Sequence, residues 1–411
     1  MLVPAALAIL AWQTSVLAAC YLAQVTAYFG VTSWLMDGTA TDLAVSTVLS
    51  WSLAIAAGAL MSAALPVRHH AARQEGSHPT WPHVTVVGAL QFIQAYLVLT
   101  QQSGYSAQIN LGRLNPTGLL GILSAAAPVL TLTLLFACLV TRRHERLAIG
   151  LTVLQAGILT ASGLRGASVV FMLAVLVGSL IVVPADSPWR RRRRMALVGL
   201  STLVLVATMF TLAAVVKSEA AEAAGLSSSG TQLVETDTVV ETVARRLDLS
   251  SYLDTGLRFR GNDAALDAVA LSNQVVVAIP RALWPDKPEG DYGQRVAAIF
   301  YGSTSGKTSS TITTVGDTAL NLGWGLPLAG LLLGLVLCRL EGRVRQRATT
   351  GALVTTAVLA YRVVGQESPV VIIGANALRD FLVVICIWLA CDAVAKRSSR
   401  SRSQSNHSLK M

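Results

Sequence analysis

The sequence predicts an all-α polytopic membrane protein: about ten transmembrane helices with one long, partly helical extracytoplasmic loop. Three observations carry this. Of the 411 residues, 53% are hydrophobic and only 13% charged, too little polar surface for a soluble chain of this length to cover its core. The apolar residues come in runs of about 17 to 25, the length that spans a hydrocarbon core as a helix. The basic residues cluster in short stretches between those runs, on alternate connections.

The apolar runs place spans at 3–29, 43–65, 84–101, 118–140, 147–163, 167–184, 195–216, 320–338, 351–365 and 371–391. Leu17-Ala18-Ala19-Cys20 has the look of a lipoprotein cleavage box. No basic residue precedes it, however, and the apolar run continues through Tyr28 and Phe29, so a first transmembrane helix is expected there. The chain divides into a seven-span membrane region (1–216), an extracytoplasmic loop (217–319), a three-span region (320–391) and a disordered cytoplasmic tail (392–411). All five cysteines (Cys20, Cys138, Cys338, Cys386 and Cys391) fall inside apolar runs, so no disulfide framework is available to the loop.

Charge placement sets the expected orientation. Alternate connections carry Arg68 and Arg73, then Arg142, Arg143 and Arg146, then Arg190 to Arg194, then Arg339, Arg343, Arg345 and Arg347. The tail adds Lys396, Arg397, Arg400, Arg402 and Lys410, bringing these clusters to 19 of the 32 basic residues. Ten spans put them all on one side, which the positive-inside rule makes cytoplasmic. Both termini are then cytoplasmic, in a multi-pass protein of the cytoplasmic (inner) membrane. The net charge of +10 is accounted for by topology and argues for no nucleic-acid partner.

The segment from Lys217 to Ala319 breaks the pattern of short connections. It holds 13 acidic residues against nine basic ones, net −4 on a +10 protein. Loops of that length are usually functional. Hydrophobic spacing (Leu233, Val239, Val240, Val243, Leu247) predicts a helix over 232–250, and a second over 263–278. Gly256, Gly261 and the Pro280, Pro285 and Pro288 series interrupt regular structure.

Chemistry-bearing residues concentrate in and around this loop. In Ile279-Pro280-Arg281-Ala282-Leu283-Trp284-Pro285-Asp286-Lys287-Pro288 the prolines enforce an extended segment. Arg281, Trp284 and Lys287 offer a guanidinium fork, an aromatic face and an ammonium. Two readings fit: a platform for a sugar ring stacked beside an anionic group, or a rigid loop anchored to the membrane interface by Trp284. The Ser/Thr-rich stretch 302–317 follows, with Lys307 and, at its end, Asp317. Arg165, Arg362 and Arg379 sit at or just inside predicted outer ends of spans, where charge is costly and tends to face a cavity or a partner. As a set they make a receptor for a pyrophosphate headgroup; singly, snorkelling or an internal pair such as Arg379 with Glu367 also fits. The histidines (His69, His70, His78, His83, His144, His407) all fall on the predicted cytoplasmic side. An outer reaction therefore has only carboxylates for its base: Asp248, Asp263, Asp286, Asp317 or Glu367, of which Asp317 is the best placed. No Walker loop, dinucleotide fingerprint or zinc spacing is present, and neither a metal nor a cofactor is expected.

The Ile279–Pro288 stretch, the Ser/Thr-rich segment and Gly316-Asp317-Thr318-Ala319-Leu320-Asn321-Leu322-Gly323-Trp324-Gly325 occur in an order that resembles the O-antigen and exopolysaccharide repeat-unit polymerases (Wzy-like). Ala161-Ser162-Gly163-Leu164-Arg165-Gly166 is similar to that family's Gly-x-Arg-Gly element. The resemblance covers 160–180 and 279–335. It implies transfer of a polyprenyl-diphosphate-linked chain onto an incoming lipid-linked repeat unit at the outer face of the membrane. The acceptor hydroxyl attacks the anomeric carbon and the lipid diphosphate leaves. On this resemblance Arg165, Arg281 and Arg379 bind phosphate and Asp317 is the base, with Arg281 and Asp317 catalytic. Arg362, Trp284, Lys287 and Arg295 (the last in an Arg-x10-Gly spacing with Gly306) join the substrate-binding set. The implied partners are the lipid-linked oligosaccharide, membrane lipid, a chain-length regulator and a flippase. The alternatives are an O-antigen ligase, against which the lack of an outer histidine argues, and a transporter or flippase of lipid-linked sugars, against which the lack of an internal repeat argues.

Overall fold

Where no water is at hand, runs of Ala, Leu and Val satisfy their backbone polar groups within the chain by forming helices. The computed structural model describes residues 2–12, 14–26, 29, 41–64, 78–107, 118–163, 165–182, 208, 212, 215, 250–259, 261–278, 284, 292–302, 312–346, 349–363 and 369–408. Among the described residues the regular elements are all helical, with no strand. Among the described residues five stretches are long and apolar enough to cross a membrane: Asp42–Ala64, Trp81–Leu99, Leu119–Thr141, Thr313–Val344 and Val370–Ser398.

In chain order, α1 is Leu2–Trp12, α2 Val16–Thr26, α3 Asp42–Ala64, α4 Trp81–Leu99, α5 Gly118–Thr141, α6 Glu145–Ala161 and α7 Arg165–Val182. Shorter helices follow: α8 Ser250–Arg258, α9 Asp263–Val269, α10 Leu271–Ala278, α11 Tyr292–Tyr301 and α12 Thr313–Leu322. A 3-10 turn, Gly323–Gly325, leads into α13 Leu326–Gln346, then α14 Thr350–Val363 and α15 Val370–Ser408.

The tightest packing in the bundle joins α3 to α13. Gly330 and Gly334, four residues apart on α13, meet Trp51, Ala54 and Ile55 of α3, while Gly58 of α3 meets Leu331 and Leu335. The partner numbers rise together, so the two helices run parallel. A methyl group built on Gly334 would run into the carbonyl oxygen of Ile55, and one on Gly58 into that of Leu331. Small residues at this spacing let backbones approach closely, and close approach is what drives helix association in lipid.

α1 and α2 differ from expectation. The sequence predicts one span over 3–29, yet the chain leaves the helix at 14–15 and α1 and α2 pack on each other as a hairpin. Each is about 16 Å long, roughly half of a ~30 Å hydrocarbon core. The cause is a remote acid. The Glu341 carboxylate on α13, 2% exposed, accepts from Ser15 Oγ at 2.7 Å and Leu17 N at 2.9 Å. Ser15 Oγ accepts in turn from Ala18 N at 3.1 Å. The first N–H groups of α2 are thus satisfied by a negative group at the positive end of the helix.

The helices α4, α5 and α6 form a second unit, with α7, α14 and α15 against it. At one end His83 stacks on Trp388 of α15, ring centroids 4.2 Å apart, and its Nε2 lies 3.4 Å from Asp392. Thr80 N donates to His83 Nδ1 at 3.2 Å, so the proton sits on Nε2. The turn between α5 and α6 reaches the same end, where His144 meets Trp81. The helices α8 to α12 gather at the opposite end as a small cap. Its core is Ala265, Val269, Val296, Phe300, Ile312 and Leu320, with Ile372 of α15 packed on it. Thr41, just before α3, donates to Asp254 of α8 at 2.6 Å.

Other boundaries also move. The predicted 263–278 helix is two, α9 and α10, broken at Ala270, whose ψ of 139° leaves the helical region. α15 does not stop at 391 but continues through Ser408, so a helix occupies most of the segment expected as a disordered tail. The predicted span 195–216 and loop helix 232–250 lie outside the described residues, apart from 208, 212, 215 and 250.

The α3–α13 contact yields a direct prediction. Gly334→Leu overpacks the crossing and lowers the stability of the folded bundle by about 1–3 kcal/mol or more, read as a fall in the thermal midpoint in detergent. Gly342→Leu, on the same helix where a Cβ meets nothing within 4 Å, leaves the midpoint near wild type.

Candidate functional site

On α15 the buried positions 380, 384, 388 and 391 recur at helical spacing, and three of them hold Val384, Trp388 and Cys391. The fourth is Asp380, 1% exposed. An ionised carboxylate here is tolerable only if paired, and two arginines supply the pairing. Arg362, from the last turn of α14, donates Nε to Asp380 Oδ2 at 2.8 Å and Nη2 to the same oxygen. Arg379 donates Nε and Nη2 to Oδ1 at 3.0 and 2.8 Å. The Arg362 guanidinium stands 5.0 Å from the Tyr361 ring centroid.

The electrostatics follow from the count. Among the described residues, one carboxylate between two guanidinium groups leaves the cluster net positive. Among the described residues each arginine meets Asp380 through its Nε and Nη2 edge, and a guanidinium carries further N–H groups beyond that edge. The side chains are 21% and 32% exposed, so the cationic edges keep access to solvent while the acid does not. Chemically, two partly exposed guanidinium forks held side by side can bind an anion with several oxygens.

Asp317 sits in the cap. It is 2% exposed and accepts from Gln274 Nε2 at 2.8 Å. Gln274 Nε2 also donates to Val269 O at 2.8 Å, and Asn321 Nδ2 to Val269 O at 2.9 Å and to Asp317 O at 3.0 Å. Four residues earlier, at the head of α12, Thr313 has φ 72°. That is a strained conformation for a β-branched residue, costing about 1–3 kcal/mol. Its Oγ1 accepts from Gly316 N at 3.1 Å. α10, which carries Gln274, packs on α15. The cap therefore rests on the helix that carries Arg379 and Asp380, and Ile372 lies about 10 Å before Arg379 along it.

The predicted site residues fare differently. Arg362 and Arg379 are brought together. The pairing of Arg379 with Glu367 is not tested, since Glu367 lies outside the described residues, but the partner that Arg379 does have is Asp380. Arg165 is the first residue of α7, and its side chain is outside the described set; α7 packs on α14. Trp284 is 39% exposed, while Arg281 and Lys287 lie outside the described residues. Arg295, on α11, is partly buried, and no hydrogen bond or ion pair among the described residues joins it to the arginine cluster. Sequence reasoning missed Asp380, Gln274 and Glu341. For Asp380 a signal was present: an acid at a buried-face position, beside one arginine and a short loop away from another. No protein-family model, curated protein or solved structure matches the chain.

Removing the acid tests the cluster. Asp380→Ala leaves two guanidinium groups facing each other and lowers stability by about 3 kcal/mol, the lower end for breaking a buried pair because both arginines are partly solvated. The triple variant Asp380→Ala/Arg362→Met/Arg379→Met recovers most of that loss in thermal unfolding.

Proposed function

We propose that this chain polymerises polyprenyl-diphosphate-linked oligosaccharide repeat units at the outer face of the cytoplasmic membrane. The observation that carries the reading is the Arg362–Asp380–Arg379 cluster, a partly exposed double guanidinium fork where the cap meets the bundle. Both phosphoryl groups of a departing lipid diphosphate carry negative charge that grows as the glycosidic bond breaks. Guanidinium donors already in place stabilise that charge without reorganisation. Apolar helices around the cluster suit the polyprenyl chain, and the cap supplies the polar surface for sugars.

In this reading the cap is extracytoplasmic and the basic ends of the later helices are cytoplasmic. Support comes from charge: Arg142, Arg143, Arg146, Lys396 and Arg397 lie toward the end of the bundle away from the cap. The expectation of a cytoplasmic N-terminus rested on a single helix over 3–29, which the structure divides in two. Asp317 acts as base for the acceptor hydroxyl, with Gln274 fixing its rotamer, and the cap opens to admit the acceptor. Arg165 and Arg281 complete the phosphate site, while Trp284, Lys287 and Arg295 line the approach for sugars.

The test is chain elongation in proteoliposomes supplied with defined lipid-linked repeat units. Arg362→Ala and Arg379→Ala insert normally but leave single repeat units, seen as loss of the ladder on a gel. Full-length polymer from either variant would sink the assignment.

One observation favours a second reading, a carrier of lipid-linked sugars. A first apolar segment divided into two short helices beside a buried carboxylate, here α1–α2 with Glu341, is similar to the discontinuous helices of transporters. Glu341→Gln separates the two. The amide oxygen still accepts from Ser15 and Leu17, so a polymerase keeps its ladder, whereas a cation-coupled carrier loses gradient-driven uptake of a fluorescent lipid-linked sugar.

A further inference from the structure

Between α4, α5 and α6 lies a polar seam that neither reading uses. Gln91 and Gln155 are fully buried, Gln94 is 7% exposed, Ser124 2% and Thr131 1%. Gln91 Nε2 donates to Thr131 Oγ1 at 3.0 Å and to Leu151 O at 2.9 Å. Gln155 Nε2 donates to Gln94 Oε1 at 2.8 Å. Gln91 meets Leu151 and Gln94 meets Gln155, so α4 and α6 run parallel with these groups on successive turns. Ser124 is two turns from Thr131 on the same face of α5.

Three buried oxygens in this seam lack a donor among the described residues. Gln91 Oε1, Gln155 Oε1 and Ser124 Oγ have no hydrogen-bond partner among the described residues. The amide orientation of Gln91 is fixed by chemistry, because turning it over would set its oxygen against the Leu151 carbonyl. A buried carbonyl without a donor costs about 1–3 kcal/mol, more than the ~0–2 kcal/mol needed to immobilise one water.

We propose that the seam is a built hydration site, in which ordered water donates to Gln91 Oε1 and Gln155 Oε1 inside the membrane bundle. The ligand is water and not an alkali cation because Gln91, Gln94, Gln155, Ser124 and Thr131 are all neutral. A bare cation would add an uncompensated charge at membrane depth, whereas water is neutral and supplies two donors. The site stands apart from the glycan reaction, and it holds α4 and α6 in register whichever function is correct.

Water-edited solid-state NMR of the full-length, glutamine- and leucine-labelled protein in lipid bilayers tests this. Peaks are identified by their loss in Gln91→Leu and Gln155→Leu, or by sequential assignment where a variant does not insert. The side-chain signals of Gln91 and Gln155 should gain water-transferred intensity several-fold faster than those of Leu130 and Leu132, which are 2% and 0% exposed. Build-up as slow as the leucines' means a dry seam and overturns the proposal. Thermal midpoints should be equal in sodium, potassium and choline chloride; a rise in one alkali salt alone makes it a cation site and also overturns it.

Discussion

A polar group set between membrane helices has no water to turn to, so it must find its partner on another helix. That constraint accounts for the main non-glycine anchors of this fold. Glu341 on α13 finds the N-terminal N–H groups of α2, and so fixes where the first apolar run breaks. Asp380 on α15 finds Arg362 on α14, which fixes the offset of those two helices. Gln91 on α4 finds Thr131 and the Leu151 carbonyl, joining α4 to α5 and α6. Apolar packing in lipid supplies little discrimination between one helix rotation and another, since lipid tails are as apolar as leucine. A hydrogen bond to a defined oxygen supplies a register.

Glycine works in the complementary direction. At the α3–α13 crossing there is no polar pair to set the distance, and the approach is set by the absence of side chains at Gly58, Gly330 and Gly334. The two devices meet on α13: its first half is held by glycines against α3, its second half by Glu341 against α2. α13 therefore connects the cap, through α12 and the Gly323–Gly325 turn, to the broken first segment at the far end of the bundle.

How much of this was legible follows from the range of each interaction. Composition and run length were enough for an all-helical chain with long apolar helices, because a span's hydropathy is a local property. The helices α3, α4 and α5 fall within a few residues of the predicted 43–65, 84–101 and 118–140. The break at 14–15 was not legible in the same way. Thr14 and Ser15 are ordinary inside a membrane helix, where their hydroxyls can bond the preceding turn, and only Glu341, more than three hundred residues later, makes them a cap. Arg362 and Arg379 were singled out because charge inside an apolar run is conspicuous, whereas Asp380 was read past as the neighbour of an arginine. Its role depends on the rotation of α15, which places 380 on the buried stripe with Val384 and Trp388. Asp317 was identified from its position after the Ser/Thr-rich segment, but its burial under Gln274 belongs to the tertiary packing of α9, α10 and α12.

The continuity of α15 gives these separate features a mechanical relation. Thirty-nine residues make a helix about 58 Å long, against a hydrocarbon core of ~30 Å. Its first turns carry Ile372 into the cap core, its next turns carry Arg379 and Asp380, and further on Trp388 and Asp392 close on His83. A rigid helix cannot tilt at one of these points without moving the others. Asp317 is 2% exposed within the cap, and the helix beneath α10 is the one that holds the arginine fork. The cap core and the Arg362–Asp380–Arg379 cluster are therefore joined through a single element, with the His83–Trp388 stack as its far anchor. A displacement of the cap on α15 is thus felt at the arginine cluster, and one at the His83–Trp388 stack is felt at both.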